Sequence, residues 1–70
     1  MADINLIEEK TREAMSSAGT ALSTVQVFRQ GKAAGIELSA AQKATLRSRY
    51  IVEMTECRDA AQEALNELGA

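Results

Sequence analysis

The stretch INLIEEKTREAMSSAGTALSTVQVF, residues 4–28, decides the fold. Ile4, Ile7, Thr11, Ala14, Ala18, Ala21, Val25 and Phe28 recur at alternating spacings of three and four, and only Thr11 among them is not apolar. That spacing draws one stripe along an α-helix and calls for a partner helix to cover it. Ala, Glu, Leu, Gln, Lys and Arg make up much of the chain, and no Pro is present to break a helix.

The ends of the elements are also written in the sequence. Asp3 suits an N-cap, with Glu8 and Glu9 near the positive end of the helix. Arg29, Gln30 and Gly31 then read as a stop signal, a cation in the last turn followed by a glycine exit. Ser39 and Gln42 fit a capping box that opens a second helix. Its apolar positions are Leu46, Tyr50, Met54, Cys57, Ala61, Ala64 and Leu68, with Leu65 beside them, and Gly69 closes it.

These signals predict an all-α fold, an antiparallel two-helix hairpin with helices at about 3–30 and 40–68, forming a single domain over 1–70. Each helix is about 40–45 Å long at 1.5 Å per residue, and the linker runs from Gly31 to Leu38. Ile4, Ala18, Val25 and Phe28 are expected to meet Leu46, Met54 and Leu65 in the core. One segment is intrinsically weak. Six of the nine residues from Ser16 to Thr24 are Ser, Gly or Thr, and a mid-helix Gly such as Gly19 costs about 1 kcal/mol relative to Ala. A packed continuous helix, a site of close backbone approach and a kink all fit that composition.

A chain of 70 residues with one Phe, one Tyr and no Trp has little with which to fill a core. Met15, Leu22, Ile51 and Val52 fall outside the narrow seam that two helices can cover, and they are the candidate partner surface. Association is the expected remedy, either with further copies as a homo-oligomeric four-helix bundle or coiled coil, or by docking onto a larger assembly.

Charge is distributed unevenly. The net charge is −2, yet residues 29–49 carry Arg29, Lys32, Lys43, Arg47 and Arg49 against Glu37 alone. Residues 50–70 carry Glu53, Glu56, Asp59, Glu63 and Glu67 against Arg58. A hairpin built this way is a rod with a basic turn end and an acidic terminal end.

The chemistry of catalysis is poorly supplied. There is no His to act as a general base near neutral pH. Cys57 has no His to activate it and lies on an expected core face, which makes it a small hydrophobe; a disulfide between copies is the variant reading. The carboxylates along the second helix lack Glu-x-x-His or calcium-loop spacing, and Gly31-Lys32-Ala33-Ala34-Gly35 does not match a phosphate-binding loop. No enzymatic activity, cofactor or metal is expected.

No signal peptide and no membrane-spanning stretch is visible, so the expected location is the cytoplasm or a particle assembled there. The expected function is a non-enzymatic structural, assembly or adaptor module acting through helix–helix protein contacts. A small virion component and a secretion-type chaperone both fit that description. The alternative is a small nucleic-acid-associated regulator that uses Arg29, Lys32, Lys43, Arg47 and Arg49.

Overall fold

The computed structural model describes residues 2–35 and 37–69. Helix α1 spans Ile4–Ala33 and helix α2 spans Ala40–Leu68. They lie antiparallel in a rod 53 × 17 × 14 Å. Three contacts fix the direction. The Asp3 amide donates to the Glu67 carboxylate (2.8 Å), Lys10 pairs with Glu63 (2.8 Å), and the Thr24 hydroxyl donates to Glu53 (3.0 Å).

The starts and the final stop follow the sequence. Asp3 Oδ1 accepts from the amides of Asn5 (3.0 Å) and Leu6 (3.3 Å). Glu8 and Glu9 lie beyond the first turn, so the cap supplies the negative charge at that end. Ser39 and Gln42 form the reciprocal capping box, and Gly69 ends α2 in the left-handed conformation, φ 82°.

The exit of α1 differs from expectation. The helix runs through Gly31 to Ala33, and Gly35 takes the left-handed position, φ 72°. The Gly35 amide then donates to the Lys32 carbonyl (3.2 Å). A glycine stops a helix only where the chain must leave it, and the turn falls at the second candidate rather than the first.

Helix α1 is unbroken from Ser16 to Thr24. Its hydroxyls are absorbed locally. Thr20 donates to the Ser16 carbonyl (3.0 Å) and Ser23 to the Gly19 carbonyl (3.2 Å). Side chains that would otherwise compete with the helix bond one turn back instead.

The seam between the helices is where the structure corrects the sequence reading. On α1 the covered positions are Leu6, Ile7, Lys10, Ala14, Ser17, Ala21, Thr24 and Gly31; from Ile7 onward they keep the same three–four spacing but are displaced by one residue in every other step. Ile4, Thr11, Ala18 and Val25 are exposed, and Ile4 keeps 72% of its surface. On α2 the covered positions are Leu46, Glu53, Thr55, Cys57, Ala60, Ala64 and Glu67, while Met54, Ala61, Leu65 and Leu68 stay outside. Of the expected core, only Leu46 is covered, and Phe28 sits at the boundary of exposure.

Size explains the displacement. Ala14, Ser17 and Ala21 face a helix that offers Cys57, Ala60 and Ala64, and small side chains let two backbones approach closely. Ile4, Val25 and Met54 would hold the helices apart and forfeit that contact. No buried side-chain nitrogen or oxygen among the described residues lacks a hydrogen-bond partner.

Two glycines test this account from opposite directions. A Cβ at Gly19 would meet nothing within 4 Å, so Gly19→Ala should stabilise by about 1 kcal/mol. Gly35→Ala meets no obstacle either but must hold a positive φ, and it should destabilise by about 1–2 kcal/mol. Urea midpoints should move in opposite senses.

Candidate functional site

The displacement of the seam gives the rod two unlike faces. With about 3.6 residues per turn, Thr11, Met15, Ala18, Leu22 and Val25 lie roughly a quarter turn to one side of the α1 seam. On α2 the residues at the same offset are Arg47, Ile51, Met54, Arg58, Ala61, Leu65 and Leu68. The helices are antiparallel, so equal offsets fall on the same side of the rod. Both outer stripes therefore form one broad face, and it is mostly apolar.

Exposure and groove geometry agree with that assignment. Met15 keeps 70% of its surface, and Leu22, Ile51 and Leu68 all keep more than half. Arg58 interrupts the α2 stripe, but its guanidinium turns aside to Asp59 (3.2 Å). At the turn end the face opens into a groove of about 620 Å³, with Val25, Phe28, Leu46 and Tyr50 on its floor. Arg29, Lys32, Lys43 and Arg47 stand around it.

The opposite face is polar. A shallow depression there is lined by Lys10, Glu13, Ser16, Glu56, Asp59 and Glu63. Val27 and Val52 are its exposed apolar members. Of the candidate partner residues, the structure brings Met15, Leu22 and Ile51 to the apolar face and sets Val52 on the other side. Of the candidate basic residues, Arg29, Lys32, Lys43 and Arg47 converge on the groove. Arg49 is separate and approaches Glu53 at 3.9 Å on its own helix.

The acidic ladder of α2 divides between these environments. Glu56, Asp59 and Glu63 line the polar depression, whereas Glu53 and Glu67 turn into the seam. Glu53 keeps 12% of its side-chain surface, and Thr24 donates to it. Lys10 lies between Glu13 (3.2 Å) and Glu63 (2.8 Å). Its hydrogen bonds to Glu63 and then Glu13 raise its pKa above the ordinary lysine value. Period alone could not show these carboxylates as seam residues. For Glu53 the counterpart Thr24 carries the signal, since it stands one step before the apolar stripe position Val25.

Among the described residues, no group of three or more His, Cys, Asp or Glu side chains could hold a metal ion. No helix is long and apolar enough to cross a membrane, judged over the same residues. Cys57 is a half-buried free thiol in the seam.

The surface area measures how incomplete the covering is. The chain exposes 5382 Å², whereas a compact monomer of 7.5 kDa exposes about 4,250 Å². The excess is roughly 1,100 Å².

Two seam contacts yield predictions. Thr24→Val removes the hydroxyl that serves Glu53 and should cost about 1–3 kcal/mol, while Thr24→Val with Glu53→Leu should recover most of that loss. The stabilising effect of Lys10 rests on a raised pKa, so it is complete at neutral pH and disappears as pH rises through the folded-state value. The advantage of the natural chain over Lys10→Met in urea should therefore be present at pH 7 and vanish only above the lysine range.

Comparison with family models, with curated proteins and with solved structures gives no match.

Proposed function

We propose that this chain is a non-enzymatic assembly module that acts through helix–helix contacts on its apolar face. One observation carries the reading: two amphipathic helices pack small residues against each other and leave most of their larger exposed apolar side chains on one side of the rod. Isolated exposed hydrophobes are ordinary. A contiguous stripe on each of two adjacent helices, with a polar face behind them, is the pattern of an interaction surface. A structural subunit of a particle, or an adaptor that holds another helical protein, would use such a face in the same way. The chain is expected to work in the cytoplasm or in a particle assembled there.

A second reading is supported by the convergence of Arg29, Lys32, Lys43 and Arg47 around Phe28 and Tyr50. Cations that contact phosphates, with aromatic rings for bases to stack on, would suit a nucleic-acid-associated regulator. Retention of single-stranded RNA or DNA that falls steeply with salt would favour it.

The assembly reading is tested by moving one charge between faces. Leu22→Glu should abolish association in size exclusion with light scattering, whereas Val52→Glu should leave it within about twofold. Both variants should keep their helical circular dichroism. Equal effects of the two substitutions would refute the assignment of the face.

A further inference from the structure

We propose that the apolar face is covered by a second copy of this chain lying antiparallel, so that the acidic terminal end of each copy fills the cation-rimmed groove of the other. The inference rests on the assembly reading and adds the partner and its orientation.

Area supports a second copy as the occupant. Each rod exposes roughly 1,100 Å² more than a compact monomer of its mass, and a standard interface removes about 800 Å² from each partner. The face is also self-complementary in shape. Ala18 lies midway between Ile4 and Lys32 along α1 and keeps the middle of the α1 stripe low, where a two-fold axis would pass. From that axis, Ile4 and Leu68 of one copy reach the groove floored by Val25, Phe28, Leu46 and Tyr50 of the other. Ile4 and Leu68 are 72% and 58% exposed and gain a cover there.

Charge selects the orientation. Near the termini, residues 2–15 and 60–69 hold Asp3, Glu8, Glu9, Glu13, Glu63 and Glu67 against Lys10 and Arg12, a net −4. Residues 26–49, around the turn, hold five cations against Glu37, a net +4. Copies with their turns at the same end would set like charge on like at both ends of the rod. Copies with turns at opposite ends set a net-acidic end beside a net-basic end twice, with Glu8 and the groove cations nearest the shared face and Glu13, Glu63 and Arg49 farther from it, and the attraction is sensitive to salt. Glu8, at the outer edge of the apolar face, then meets the Arg29 and Arg47 edge of its partner.

Distance measurement between spin labels tests this directly. In the full chain, Cys57→Ser with Glu37→Cys places one label at each turn. The expected result is a particle of twice 7.5 kDa with labels roughly 40–50 Å apart, as the 53 Å rod requires. Arg29→Glu with Arg47→Glu should weaken the dimer at least tenfold at low salt, and adding Glu8→Arg should restore part of it. A turn-to-turn distance below about 25 Å, with Leu22→Glu still dissociating the pair, would overturn the orientation and leave the face intact. A dimer indifferent to Leu22→Glu would overturn the face itself. A chain that stays monomeric at hundreds of micromolar, whether or not it retains RNA or binds an unrelated protein, would overturn the second copy as occupant.

Discussion

Close approach of two backbones across a line of small side chains governs everything else in this molecule. Among the described residues, Ala21, Ala60 and Ala64 are the buried apolar ones, and Thr24 is the buried polar one. A seam of that kind gains its energy from many short contacts over a long rod rather than from a few large side chains. Its cost is displaced outward. Most of the bulky apolar residues that would widen the gap along its middle are turned away, and the heptad geometry collects most of those on one side, with Val27 and Val52 on the other.

The polar groups in the seam follow from the same constraint. A lysine, a threonine and two glutamates occupy positions that an ordinary hydrophobic stripe would fill. They are tolerated because Glu67 accepts from the Asp3 amide and because two side-chain pairs, Lys10 with the outer Glu63 and Thr24 with Glu53, span the interface. Buried or half-buried polar groups are costly when unpaired and specific when paired. These two pairs therefore fix which residue of α1 stands beside which residue of α2, a register that alanines alone would leave loose.

Much of this was legible in the sequence. Two long helices, Asp3 as a cap, the Ser39–Gln42 box, the Gly69 stop and an uneven charge distribution are all local properties, and local chemistry decides them. The facing of the helices was not legible in the same way. Hydrophobic period identifies Ile4, Ala18, Val25 and Met54 as a stripe, and they are one; period cannot say that a neighbouring stripe of smaller residues wins the intramolecular contact. That choice depends on how closely two surfaces fit, which is a pairwise property. The same limit explains why Met15, Leu22 and Ile51 share the apolar face, whereas Val52, equally apolar, falls on the polar side. Offset from the true seam, not hydropathy, sorts them. The choice between Gly31 and Gly35 as the stop belongs to the same class, since it is set by where α2 must begin its return.

The division of residues between seam and outer face is the central claim, and nuclear Overhauser contacts within a single copy test it most directly. In the Leu22→Glu background, where association is suppressed, cross-peaks should join Thr24 to Glu53 and Lys10 to Glu63, with none between Val25 and Met54. Cross-peaks from Val25 and Ala18 to Met54 and Ala61, with Thr24 left in solvent, would contradict it.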